Sequence, residues 1–255
     1  MGLFIVEFDL KARSPVSVQN GDAIVDKGYS TVTVRNVQAD STEEAPHKAR
    51  PIADALLDEL CWQYDIKLEV ANGWTVTLQD SPTTRHIKKY TVKVTARGGH
   101  RKRIPRVLKD IRTRSSDAKT YYRKAAISRD PFDKFRNFYL AIENVASKIA
   151  TAKNRHSRYE SNLLQFALQE CFSSNKQLLE QHSHVYGFEN TGDIFLDVAT
   201  FLYKKNRVQL SHSKAGEKKK TPFNPADEWE VQVSLPLAEL VAKSLLSYED
   251  AHLLS

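Results

Sequence analysis

Cysteine is nearly absent from this 255-residue chain: Cys61 and Cys171 are the only two, in different predicted helices and without metal-like spacing. No disulfide framework staples the fold, and both read as reduced thiols of a cytoplasmic protein. Long apolar runs are missing as well. No stretch approaches the ~20 consecutive apolar residues of a membrane helix, and the opening MGLFIVEFDLKARS carries Glu7 and Asp9, which the hydrophobic region of a signal peptide excludes. The expectation is a soluble, cytoplasmic chain with no membrane partner. The glycines show neither P-loop nor dinucleotide-fingerprint spacing, so Gly98-Gly99-His100 reads as a connector and not a nucleotide site. Cys171, His182 and His184 lack the three or four converging ligands of a metal centre. Neither a metal nor a cofactor is expected. Glu43-Glu44 and Asp58-Glu59 read as helix-start and solvent-face charge and not a glycosidase dyad, and no Ser-His-Asp set or internal repeat is discernible.

Positive charge is what the chain has. A formal charge of +7 and a pI of about 9.2 favour a polyanionic partner. The excess is concentrated between Arg97 and Lys124, where Arg101, Arg103, Arg106 and Arg112 belong to a cationic run opposed only by Asp110 and Asp117. Pro105 opens a basic helical segment there, and Tyr121 and Tyr122 interrupt the charge. Such a helix can follow a phosphate backbone while its tyrosines stack on bases, or serve as a solvated linker. A second cluster gathers Lys204, Lys205, Arg207, Lys214 and the lysine run 218–220.

Periodicity divides the chain. LFIVEFDLKA and YSTVTVRNV have strand character. In IKLEVANGWTVTLQD, Asn72-Gly73 predicts a hairpin turn, and TRHIKKYTVKVTARGG supplies a further strand. Between them Ile52, Leu56, Leu60 and Tyr64 recur at helical spacing, widened by Leu57, with Pro51 in the first turn. Residues 1–100 therefore read as a mixed β-sheet of about five strands with one long helix, α+β in class. Residues 101–128 read as the basic connecting helix. Residues 129–255 are predicted helical: Phe135, Phe138, Tyr139, Ile142, Val145 and Ile149 form one stripe, and Leu163, Leu164 and Ala167 begin the next. Thr191 is placed to cap a third helix. A last one, kinked or divided by Pro236, carries Trp229, Leu237 and Val241, completing a four-helix bundle.

The third helix runs through VATFLYKKN into Arg207 and His212, with four residues between them. On helical spacing alone, Val198, Phe201, Val208 and His212 share a core-facing line, and Arg207 is a surface cation. Together with the opening helix DPFDKFRNFYLAIENVASKI, this Arg-x4-His pattern resembles the signature of the HEPN superfamily. The resemblance implies an all-helical bundle that pairs as a homodimer, with motifs facing one another across a cleft. It also implies a metal-independent endoribonuclease in which the RNA's own 2′-hydroxyl attacks the phosphodiester. There His212 exchanges protons as general base or acid and Arg207 stabilises the phosphorane. Asn206, Ser211 and Lys214 are candidate orienting or phosphate contacts. The settings implied are toxin-antitoxin pairs, phage defence or RNA processing, with an antitoxin or other partner protein. Val208 follows the arginine where many active members carry Asn, Asp or His, which favours a second reading as a catalytically silent module that binds RNA or protein. A third reading makes the bundle a scaffold and the N-terminal sheet a sensor of a small ligand.

Overall fold

The computed structural model of the chain describes residues 2–79, 85–88, 107–108, 116–186, 191–211, 220–221 and 224–253. Its contacts separate two compact units, Met1–Ser115 and Ser116–Ser255.

The first unit is α+β, as expected. Its strands are β1 (Gly2–Leu10), β2 (Ser17–Asn20), β3 (Ala23–Val25), β4 (Thr31–Ala39), β5 (Val70–Leu78), β6 (Arg85–Lys88) and β7 (Val107–Leu108). They form one sheet in the order β6-β5-β1-β4-β3-β2-β7. All neighbours are antiparallel except β2 and β7, so the sheet is mixed. Gly21, at φ +54°, takes the first position of the two-residue turn between β2 and β3, a left-handed backbone that costs glycine nothing.

Period-two burial places Phe4, Val6, Phe8 and Leu10 of β1 in the core with Val32 and Val34 of β4. Three residues further on, Val37 would face the other side in an unbroken strand, yet it too is buried. A register shift between Phe4 and Val6 explains this: Phe4 lies opposite Val37 while Val6 lies opposite Val34. Asn36 absorbs the extra length at φ +54°, and its Nδ2 donates to Asp22 Oδ1 at 2.7 Å.

The expected hairpin at Asn72-Gly73 is not there. Both residues lie inside β5, and neither has the positive φ that such a turn requires. The pair instead occupies a second irregularity, where Phe8 faces Trp74 but Leu10 faces Val70. β1 pairs with β5 on both sides of it, so the strand continues where the local signal alone would have turned it.

The long helix α1 (Glu44–Tyr64) begins seven residues before Pro51, which lies inside it and not in its first turn. Ser41 Oγ accepts from the Glu44 N–H, and Glu44 Oε2 accepts from the Asp40 N–H, a reciprocal arrangement of the capping-box kind. That bond lowers the Glu44 carboxyl below its ordinary range, helped by Lys48. Ala45, Ala49 and Ala53 continue the line of Leu56, Leu57 and Leu60, all fully buried, whereas Ile52 is exposed. The expected stripe is thus rotated toward small residues that let the helix lie close to the sheet.

The second unit is helical, and α2 and α5 add to the four helices that periodicity marks. Its elements are α2 (Asp117–Ile127), α3 (Pro131–Ala152), α4 (Glu160–Phe172), α5 (Lys176–Tyr186), α6 (Ile194–Thr200), a π-helix (Phe201–Val208), α7 (Gln209–Ser211) and α8 (Pro225–His252). Asp130 caps α3 by accepting from the Asp133 N–H at 2.8 Å, with Pro131 in the first turn. Asn154, at φ +53°, ends it in a Schellman arrangement, the Arg155 N–H reaching Ala150 O at 2.8 Å. The whole expected stripe of α3 is buried. α8 runs through Pro236 undivided; Pro236 and Gln232, whose carbonyl loses its partner, both face solvent. Trp229, near the start of α8, is 64% exposed, whereas Leu237 and Val241 are fully buried.

The basic segment is not one helix. Val107–Leu108 is strand β7, paired with β2, and helix starts only at Asp117. Arg101, Arg103, Arg106 and Arg112 lie outside the described residues. Within α2, Tyr122 is 1% exposed and packs on Phe138, while Lys119 and Arg123 are buried. Tyr122 therefore cannot stack on a base, and these two cations cannot follow a phosphate backbone. Lys119 Nζ meets Asp250 Oδ1 at 2.8 Å, and the fully buried Glu249 is held by Ser116 at 2.9 Å and Lys148 at 2.5 Å. These pairs join α2 and α3 to α8.

Candidate functional site: a basic pocket beside a pi-helix

Asp193 caps α6 by accepting from the Phe195 and Leu196 N–H groups, and α6 passes without a break into the π-helix. Such wide i→i+5 turns are uncommon and cluster at functional sites. The side chain that accompanies this one is Asn206, with no solvent exposure at all. Its Nδ2 donates five residues back to Phe201 O at 3.2 Å. Its Oδ1 accepts from Lys220 Nζ at 2.9 Å and from Ser234 Oγ at 3.3 Å. Lys220, itself buried, also lies 3.3 Å from Glu230 Oε2, and its backbone N–H reaches Gln209 O at 3.2 Å. The chain thus leaves the π-helix at Gln209 and returns to it at Lys220.

Arg207, the next residue, turns the other way. Its guanidinium sits 3.4 Å from both Glu160 carboxylate oxygens and lies 5.9 Å and 5.8 Å from the ring centroids of Tyr139 and Tyr203. It is not a solvated surface cation: its side chain is 24% exposed. Two further groups feel this cluster. Burial, then the Glu160 and Glu143 carboxylates, push the Tyr139 phenol far above its ordinary range, so it stays protonated. The Glu143 carboxyl is raised by burial and by Glu160, with Arg207 opposing.

Between α3 and the π-helix opens a cavity of about 420 Å³. Phe132, Phe135, Leu140 and Leu210 give it an apolar wall; Arg136, Arg207, Lys220, Tyr139 and Asp133 give it polar groups. Among the described residues the charged lining is three cations and one carboxylate, with Glu160 paired to Arg207 and Glu230 to Lys220, and the exposed Arg136 can meet a phosphate. Of the sequence-predicted residues, Arg207 lines this cavity and Asn206 lies buried behind it, positioning Lys220. Ser211 closes α7, but its side chain, like the whole of His212 and Lys214, lies outside the described residues. Cys171 is a poor nucleophile, its thiol pushed up to about 11 by burial.

Sequence reasoning passed over Arg136 and Glu160. A signal for Arg136 was present: it stands four residues after Phe132 and three before Tyr139, on the rim of the stripe that builds α3. Glu160 carries no comparable signal, because only the tertiary fold brings α4 to the π-helix.

Comparison with curated proteins and with solved structures gives no match. A family model described as methylamine utilization protein MauJ matches residues 118–247, from the first turn of α2 well into α8. That span holds every residue of the pocket and more than half of the chain, and the protein belongs to this family.

Proposed function

We propose that the second unit is a HEPN-like bundle acting as a metal-independent endoribonuclease, with RNA as substrate and a cleft completed by a second copy. In this reading residues 129–255 form the catalytic bundle and residues 1–100 the module that senses a signal or selects the substrate. The observation that carries it is the convergence of Arg207, Arg136 and Lys220 on one pocket, at the point where the segment bearing His212 departs from and rejoins the helix. Arg207 supplies a bidentate cation for the non-bridging oxygens, and His212 exchanges the proton of the attacking or leaving oxygen. The family's name speaks of methylamine utilization. Methylamine is a cation near neutral pH, whereas three of the four charged side chains described in the pocket lining are cations, which favours an anionic ligand over it.

The purified protein is expected to cut single-stranded RNA in EDTA, leaving cyclic phosphate ends, and Arg207→Ala or His212→Ala to abolish this. Cutting that survives in both variants removes the mechanism.

The ion pair of Arg207 with Glu160, together with Val208 after the arginine, favours a second reading: a silent module that binds RNA or a partner protein without cleaving. Salt-dependent RNA binding with intact RNA selects it.

A further inference from the structure

Three elements reach the Arg207 guanidinium: α3 through the Tyr139 ring, α4 through the Glu160 carboxylate, and its own π-helix through the Tyr203 ring. They hold it in different ways. At 3.4 Å from both carboxylate oxygens, Glu160 stands beyond the roughly 2.7–2.9 Å of a short charge-assisted hydrogen bond, so it supplies charge and fixes direction poorly. The rings lie under the guanidinium at 5.9 Å and 5.8 Å, within cation–π reach. Tyr139 is 3% exposed and belongs to the core stripe of α3, which has its own use for the ring. Tyr203 is only partly buried, and among the described residues its ring contact is with the guanidinium four residues on.

Position matters for such a side chain. An arginine stem is long and loses much rotamer freedom when it is held still. Its planar fork matches two phosphate oxygens only from a suitable direction, and a small misplacement of a reacting or stabilising group is costly. Arg207 borders the cavity of about 420 Å³, so a ring that fixes the fork there beforehand removes an ordering cost from ligand binding.

We infer that Tyr203 is a positioning residue, its ring holding the Arg207 guanidinium in the orientation from which it meets an RNA phosphate in the cavity. The inference rests on the RNA reading and assigns the residue that prepares its cation. Tyr203 acts through Arg207 and does not itself contact the RNA.

The test uses the full chain with Tyr203→Leu, which removes the ring, and Tyr203→Phe, which keeps it. In nuclear magnetic resonance the Arg207 Nε–H is identified by its loss in Arg207→Lys. It is expected to be ordered in the unaltered protein and in Tyr203→Phe, and as mobile as an exposed arginine in Tyr203→Leu. Binding of 2′-O-methyl RNA, which lacks the attacking hydroxyl and stays whole, weakens about fivefold in Tyr203→Leu, the worth of one partly buried cation–π contact. Tyr203→Phe keeps the affinity. Added to Arg207→Ala, Tyr203→Leu costs nothing further, because a residue that works through the guanidinium has nothing left to hold. An Arg207 Nε–H equally ordered without the ring, additive losses in the double variant, or a loss in Tyr203→Phe as large as in Tyr203→Leu overturns the inference. No RNA binding by the unaltered protein overturns both this and the RNA reading. RNA bound but never cut in EDTA removes the nuclease and leaves Tyr203 in its role; cutting that Arg207→Ala abolishes and Tyr203→Leu leaves at full rate does the reverse.

Discussion

The two units bury different things. In the first, Val6, Val25, Val34, Leu56 and Leu60 are fully enclosed, and the buried polar side chains among the described residues are Ser14, Asp58 and Glu59. In the second, Lys119, Arg123, Asn206, Lys220, Ser234 and Glu249 are buried among the apolar side chains. An apolar interior tolerates small adjustments of packing, because dispersion contacts are not directional. A charge away from water is tolerable only where its partner stands at hydrogen-bond distance, so each buried pair admits one arrangement of its helices. The part of the molecule that carries the candidate site is therefore the part whose geometry is dictated by polar partners.

This contrast can be broken from either side. The largest effect is expected in the first unit: Leu56→Ala removes a fully buried side chain between α1 and the sheet and costs about 4 kcal/mol, read from hydrogen exchange of the α1 amides. In the second unit the corresponding wound is polar. Lys119→Ala leaves Asp250 facing a gap and costs about 3 kcal/mol, whereas the double change Lys119→Met with Asp250→Leu recovers most of it. Denaturation that shows no recovery would mean that packing, and not the charge pair, sets the cost. Asn206→Ala strips the carboxamide from the buried Lys220 ammonium and costs about 2 kcal/mol. Faster limited proteolysis between Gln209 and Lys220 reports it.

Smaller effects sharpen the comparison at the pocket. Glu160→Gln releases Arg207 from its carboxylate and strengthens RNA binding up to about fivefold, the value of a partly exposed ion pair, with a steeper salt dependence in fluorescence anisotropy. The least is a pH effect from Glu143. Its carboxyl is raised in the folded chain, so the folded state holds the proton more firmly than the unfolded one. Its contribution is complete below the ordinary carboxyl range and is lost as pH rises through the raised value. Glu143→Gln flattens that part of the thermal-stability profile.

The sequence made much of this legible where one element decides its own burial. The α3 stripe from Phe135 to Ile149, Asp130 before it and the α+β character of the first unit all follow from period and capping. Legibility failed where a neighbour overrules a local signal. Asn72-Gly73 is a strong turn pair, yet β1 draws both flanks into one strand. A run of cations at Lys119 and Arg123 looks solvated until Asp250 and the packing of α2 are known. α5 was hidden because, among its described side chains, only Leu179 is fully enclosed. At the site, Arg207 stood out by its motif, Arg136 was readable from α3, and Glu160 needed the fold.

The π-helix has one more implication. A wide turn holds one residue more than an ordinary helical turn of the same span, so a single-residue deletion between Phe201 and Asn206 would let the coil tighten. Side chains beyond it would keep their facing, because the wide turn is what takes up the extra residue. The same loss from α3, whose turns are already tight, would rotate every later side chain by about 100° around the axis. Of these two helices, the one that leads into Asn206 and Arg207 is thus the one that tolerates shortening by a residue.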